Sequence, residues 1–228
     1  MKDFIATDAP SSSVGDYLKA VWEVAGVSGG VAGTSEVASR LSVSAASVSN
    51  MFGRLQEMGL VDYERYRGAV LTDRGRSEAL RLVRRHRLIE TFLLEHLGYS
   101  WQEVHEEAEK LEHAVSDGFT TRLAEFLGHP DYDPHGDPIP TAEGVLEPDD
   151  SRPLNQVEAG QWVRIFKVSD EDSTVLDYFG ERGLVPGRKI LVKEARAIDR
   201  VVTVEDEEGK SHSFGEPLAR CVFVESES

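Results

Sequence analysis

The chain has 228 residues, of which 40% are hydrophobic and 29% charged, enough for two or three small domains with packed cores and too apolar for wholesale disorder. A single cysteine, Cys221, excludes an intrachain disulfide and a cysteine-rich zinc finger. Apolar runs such as Phe92-Leu93-Leu94 are far short of a membrane span, and Met1 to Ile5 lacks a secretory apolar stretch, so the expectation is a cytoplasmic protein with no membrane partner. The net charge of −16 argues against nucleic acid, but it is unevenly placed. Residues 1–100 hold 12 basic and 12 acidic side chains, so the whole excess lies in residues 101–228. The neutral front half can touch phosphate, and the acidic back half suits cations.

In chain order, Val14, Leu18, Val21, Trp22 and Ala25 form one helical stripe, with Ser12 or Ser13 as cap and the Gly26 to Gly33 stretch as its end. A short helix follows from Ser35, with Val37, Ala38 and Leu41 inward. After the turn Ser42-Val43-Ser44, Ser44 caps a helix carrying Val48, Met51, Phe52, Leu55 and Met58, stopped by Gly59. Two β-like runs flank Arg67-Gly68 and predict a hairpin. Thr72-Asp73 caps a long helix to about His96, with Gly98 after it, and a further helix is predicted from near Ser100 to Leu127, with Gly128 as stop. Seven of the nine prolines lie in residues 130–186, and the acidic stretch Pro130 to Pro153 reads as an ordered loop running into a linker. The tail has four β-like runs, beginning at Trp162, Lys189, Val201 and Cys221, as in a small β-barrel.

Helix, tight turn, capped second helix and hairpin is the order of a winged helix-turn-helix. A helix that enters the major groove needs small and polar residues at its N-terminal end, and this one reads Ser44-Ala45-Ala46-Ser47-Val48-Ser49-Asn50. Ser44, Ala46 and Asn50 are the candidates for base edges. Ser47, Ser49 and Arg54 are candidates for phosphate, with Arg65 and Arg67 on the hairpin. The expected partner is double-stranded DNA; a helical hairpin that binds no DNA is the competing reading.

The sharpest constellation runs from His105 to His113. On one continuous helix His105, Glu109, Glu112 and His113, spaced i, i+4, i+7 and i+8, share a face and present two imidazoles and two carboxylates, a divalent-metal ligand set. His86 and Glu90 form another i, i+4 pair on the preceding helix. A Glu-rich helix is by itself most often a solvated acidic face. Six ligand-type residues in register on two consecutive helices outweigh that reading. Asp16, Asp133, His135 and the Asp170-Glu171-Asp172 run are further candidates, each alone more simply a surface or turn residue.

The strings Arg84-Arg85-His86-Arg87-Leu88-Ile89-Glu90, His105 to Asp117, and Asp133-Pro134-His135-Gly136-Asp137-Pro138-Ile139-Pro140 resemble those of the DtxR-type metal-dependent repressors, closest to their manganese transport regulator (MntR) branch in actinobacteria. The resemblance covers nearly the whole chain. It implies a mainly α protein with a small β part: a winged helix-turn-helix over 1–73, a helical metal-binding and dimerisation domain over 74–141, a linker over 142–155 and an SH3-like (FeoA-like) β-barrel over 156–228. The turn Gly183-Leu184-Val185-Pro186-Gly187 is similar to that of FeoA-like domains.

It implies Asp16, Glu109, Glu112 and His113 as ligands of one site and His86, Glu90 and His105 of an adjacent one. The resemblance also implies Asp170 as a ligand from the SH3-like domain, with Asp133, where relatives often have Cys, and His135 completing or adding to a site. The iron-sensing branch has Met and Cys at the positions of Asp16 and Glu109; carboxylates there suit Mn²⁺, while Fe²⁺, Co²⁺ or Zn²⁺ are expected to bind in vitro. Lys19 stands where some manganese regulators have a further Glu, which departs from their paired-ion arrangement.

The resulting expectation is no enzyme but a homodimeric, Mn²⁺-activated repressor of metal-uptake genes on palindromic operators, with Leu88, Phe92, Leu97, Val115 and Phe119 at the dimer surface or, for some of them, only in the intrachain core. An Fe²⁺-dependent regulator of the same family, a His/Glu metalloenzyme, and a metal-independent winged-helix sensor of a small molecule are the alternatives.

Overall fold

The computed structural model describes residues 12–169, 172–196 and 200–226. The chain divides into two compact units, one of residues 1–85 with 140–144 and one of residues 86–139 with 145–228.

The first unit holds α1 (Ser12–Val27), α2 (Thr34–Arg40), α3 (Ala45–Glu57), the strands β1 (Val61–Glu64) and β2 (Gly68–Leu71), and the start of α4 (Asp73–Leu97). Helical spacing on α1 and α3 buries Val14, Leu18, Val21, Val48, Phe52 and Leu55 in one core with Val37 of α2 and Val61 of β1. Burying a side chain such as Phe52 stabilises by about 1.5–3 kcal/mol. Ser44 caps α3, its hydroxyl accepting from the Ser47 N–H at 3.1 Å. The strands pair antiparallel, with Val61 opposite Leu71 and Glu64 opposite Gly68. The turn is therefore Arg65-Tyr66-Arg67, and Gly68 already belongs to β2. Ala32 extends this ribbon through reciprocal backbone bonds with Ala69 at 2.8 and 2.9 Å. The Thr72 hydroxyl accepts from the Gly75 N–H at 3.1 Å and starts α4 where the sequence places it.

In the second unit the helix expected from Ser100 to Leu127 is two helices, α5 (Val104–Leu111) and α6 (Asp117–Phe126). The break has a local cause. Glu112 caps the end of α5, and the Ser116 hydroxyl accepts from the Phe119 N–H at 3.2 Å, nucleating a new helix. Leu88, Ile89 and Leu93 of α4 pack with Val104, Ala108, Leu123 and Ile139. Leu88 is thus intrachain core rather than dimer surface, whereas Leu97, Phe119 and Phe126 are exposed.

The SH3-like part of this unit is an antiparallel sheet in the order β3 (Arg152–Pro153), β8 (Val222–Ser226), β4 (Trp162–Val168), β5 (Lys189–Arg196), β6 (Val201–Asp206), β7 (Ser211–Gly215). Alternation along β6 and β7 turns Val202, Val204 and Phe214 inward onto Ile165, Leu176, Phe179 and Val192. Leu176 and Phe179 come from α7 (Ser173–Gly180), which the Asp172 carboxylate caps by accepting from the Thr174 N–H at 2.9 Å. The short α8 (Glu216–Ala219) leads into β8.

The segment 130–140, expected as an ordered loop, lies against this sheet. Val168 of β4 donates its N–H to the His135 carbonyl at 2.9 Å, and Tyr132 meets Phe166 edge-on at 5.2 Å. Gly136 has φ 93°, and a Cβ there would lie 2.0 Å from the Phe166 carbonyl oxygen, so only glycine fits.

Candidate metal centre and DNA-reading surface

The second unit gathers His86 and Glu90 from α4, His105 from α5 and His135 from the 130–140 loop. The i, i+4 spacing on α4 sets His86 Nε2 2.9 Å from Glu90 Oε1. His105 Nδ1 lies 3.2 Å from His86 Nε2 and 3.1 Å from Glu90 Oε1. Three donors so spaced fit one ion, since ligands at right angles around a cation with ~2.1 Å bonds stand ~3 Å apart. Glu90 is fully buried. Burial pushes its carboxyl up, but the neighbouring His86 ring and the hydrogen bonds with His105 and His86 outweigh that and hold it below the ordinary carboxylate range.

The surrounding hydrogen bonds aim these donors. His86 Nδ1 meets Glu112 Oε2 at 2.5 Å, which orients the ring so that Nε2 faces Glu90 and His105. His135 Nε2 donates to the Trp101 carbonyl at 2.9 Å, so its Nδ1 carries the lone pair, 3.8 Å from Glu90 Oε1. His135 is fully buried, and neither its Nδ1 nor Glu90 Oε2 has a hydrogen-bond partner among the described residues. Buried acceptors left without a donor are costly in a protein interior, and a divalent cation would satisfy both. The donor set, imidazole and carboxylate with no thiolate, fits such an ion. Glu90, Asp133 and His135 also offer donors within 4.8 Å of one another.

The sequence reading missed what holds this loop. Asp133 Oδ1 accepts from the N–H groups of His135 and Asp137 at 2.8 and 2.9 Å. Arg87, one residue beyond His86, donates to the Pro138 carbonyl at 2.6 Å and faces Asp133 Oδ2 at 3.4 Å and Asp137 Oδ1 at 3.2 Å. Asp133 is thereby the anchor of a turn as well as a candidate ligand. A basic residue beside a ligand-type pair on an otherwise buried helix face was the available signal.

The remaining predicted ligands are placed differently. The shared helical face expected for His105, Glu109, Glu112 and His113 is not formed, because α5 ends at Leu111. Glu112 is buried and links two histidines instead, His86 through Oε2 and His113 through Oε1 at 3.5 Å. Glu109 is exposed, 3.7 Å from His105. Asp16 lies on α1 in the first unit, half-buried. Asp170 lies outside the described residues.

On α3, Ser44, Ala46, Ser47, Asn50 and Arg54 are exposed and Ser49 is half-buried. Ser44 is engaged as the helix cap. Arg65 and Arg67 are exposed in the hairpin turn, Arg67 pairing with Glu64 at 3.1 Å.

A helix-turn-helix with a hairpin in one unit and a buried His/Glu centre in the other define a DNA-binding regulator that responds to a metal ion. Family models described as the iron dependent repressor N-terminal DNA binding domain, its metal binding and dimerisation domain, and the FeoA domain match residues 11–69, 72–141 and 152–226. The diphtheria toxin repressor of Corynebacterium glutamicum is 35% identical over 235 residues, covering 99% of this chain and 98% of that protein. The chain belongs to this family of DNA-binding, metal-dependent repressors, the DtxR type. The iron-dependent repressor IdeR of Mycobacterium leprae is 29% identical, over 84% of this chain and 87% of its own. Among solved structures, a manganese-dependent transcriptional repressor in complex with manganese is similar with a TM-score of 0.88 and 40% identity, over 94% of this chain and 100% of that one. The manganese regulator SloR follows with 0.79 and 33%, over 94% and 98%. The family is one of dimerising repressors rather than enzymes, and no described helix is long and apolar enough to cross a membrane.

Proposed function

We propose that the chain is a Mn²⁺-dependent repressor that binds palindromic operators of metal-uptake genes as a homodimer in the cytoplasm. The observation that carries the metal choice is the donor set. His86, Glu90, His105 and His135 offer only nitrogen and oxygen, and the single cysteine, Cys221, sits just before β8 and away from them in sequence. Hard donors of this kind do not select against Mn²⁺ as thiolates do. Relatives that respond to manganese support the same reading.

We assign His86, Glu90 and His105 to one site, joined by His135 and Asp133, and Asp16, Glu109, Glu112 and His113 to a second, with Asp170 as a contribution from the SH3-like part. A bound divalent cation would supply positive charge that neutralises the crowded carboxylates. Metal binding would set the spacing of two recognition helices to match two half-sites. Ala46 and Asn50 face base edges, while Ser47, Ser49, Arg54, Arg65 and Arg67 hold the phosphates, and Ser44 fixes the start of the helix. Domain limits near residues 73 and 141 suit this division of labour, and the linker expected over 142–155 ends earlier, where β3 (Arg152–Pro153) joins the SH3-like sheet.

The test is operator binding by fluorescence anisotropy at buffered free Mn²⁺, Fe²⁺ (anaerobic), Co²⁺ and Zn²⁺. Mn²⁺ is expected to activate at the free concentrations a cell maintains. Activation by Fe²⁺ alone in that range would overturn the manganese assignment in favour of the iron-dependent alternative.

A further inference from the structure

The tip of the hairpin holds a residue that the fold alone does not account for. Tyr66 has φ 70°, in the left-handed region, and its side chain is 90% exposed. The Arg67 N–H bonds to the Glu64 carbonyl at 3.0 Å, closing a turn in which Tyr66 is the third residue. A positive φ at that position is the type II arrangement, which favours glycine or asparagine. A bulky aromatic there is strained. Nothing apolar covers the ring in return. The ring meets Arg65, whose guanidinium carbon lies 5.1 Å from the ring centre, an exposed pair that offsets little of the strain.

A strained, solvent-facing aromatic flanked by two arginines has the composition of a nucleic-acid contact: cations for phosphate, a flat ring for the sugars and base edges of a groove. The hairpin is fixed to the reading helix, since Gln56 of α3 donates to the Tyr63 carbonyl and Phe52 packs edge-on to Tyr63 at 5.3 Å. The tip is therefore held in register with the residues that face the groove.

We propose that Tyr66 is a DNA-contacting residue, its ring laid against the duplex beside the half-site read by α3, with Arg65 and Arg67 on the phosphates to either side. This rests on the DNA-binding reading of the first unit and adds a contact to it. An acidic protein partner is the competing occupant. The duplex is favoured because the hairpin packs on the recognition helix through Gln56, Phe52 and Tyr63.

Opposite effects on stability and on binding distinguish this role from a structural one. Tyr66→Gly relieves the backbone strain, so its melting temperature should equal or exceed the parent's. Operator affinity with Mn²⁺ should fall by about fivefold or more, the scale of one lost aromatic contact. Tyr66→Phe should keep most of the affinity. A Tyr66→Gly variant that binds operator as tightly as the parent overturns the inference, as does one that melts clearly lower. If the parent itself fails to bind operator with metal, the DNA reading fails rather than this contact.

Discussion

Arg87→Ala tests how the centre is built without touching a ligand of its His/Glu core. Arg87 makes one hydrogen bond to the Pro138 carbonyl and faces two carboxylates, Asp133 and Asp137, with 12% of its side chain exposed. Removing one partner of a buried ion pair costs about 3–5 kcal/mol. Asp133 keeps two backbone N–H donors, which places the expected loss at the low end, about 3 kcal/mol. For a chain of this size that is a fall in melting temperature of roughly 6–12 °C. The consequence for metal is separate. Arg87 orients the loop that carries His135, and loss of such an outer partner typically weakens metal binding by about 10–100-fold. Thermal melts of metal-free protein and a competitive Mn²⁺ titration read the two effects. Arg87→Lys should recover only part of either, because one ammonium cannot replace a guanidinium fork that spans two carboxylates and a carbonyl. If Arg87→Ala melts with the parent and binds Mn²⁺ at the parent's affinity, the loop is not held in this way.

Gly136→Ala is expected to destabilise by about 2–4 kcal/mol, combining a left-handed backbone with a Cβ 2.0 Å from the Phe166 carbonyl, and to weaken Mn²⁺ binding through His135. Gly144→Ala, where φ is 78° but the nearest atom is 3.8 Å away, should cost only about 1 kcal/mol; equal melting temperatures for the two variants would contradict the close approach at Gly136. Asp206 titrates in the acid range. The N–H groups of Lys210 and Glu208, the His212 ring and the nearby Arg188 hold its carboxyl at about 2, below the ordinary 3.8. Its folded value is depressed, so its contribution to stability is present above about pH 4 and is lost as pH falls toward 2. The stability difference between parent and Asp206→Asn should shrink over that window in pH-dependent melts, and a difference that stays constant would refute the assignment.

Helices with local punctuation could be read directly from the chain. Ser44, Gly59, Thr72 and Gly98 mark boundaries through bonds or turns within a few residues, so α3 and α4 fall where expected. The segment 100–127 misled because its apolar period runs on through 112–116. Only the Ser116 side chain, which reads equally well as an ordinary helix-surface residue, breaks it. The stretch 130–140 has the proline and aspartate content of a linker, yet Asp133 and His135 are buried. What buries them is Arg87, Trp101 and Val168, 33 or more residues away in sequence, and no periodicity reports such contacts. The strand β7 escaped notice because His212 is buried on a pair with Asp206 at 3.2 Å, so a polar residue occupies an inward position. For the metal centre, residue types and the i, i+4 pair on α4 were legible. The third dimension supplied the roles of Glu112, which joins two histidines, and of His135, which points a bare nitrogen at Glu90.

The central claim is that metal and operator act on one conformational equilibrium. The most direct measurement is the Mn²⁺ affinity of the protein by competitive titration, with and without saturating operator duplex. Linkage requires operator to tighten Mn²⁺ binding by the factor by which Mn²⁺ tightens operator binding, typically about 5–150-fold. His86→Ala should abolish that coupling. A Mn²⁺ affinity that is the same with and without operator would contradict the account.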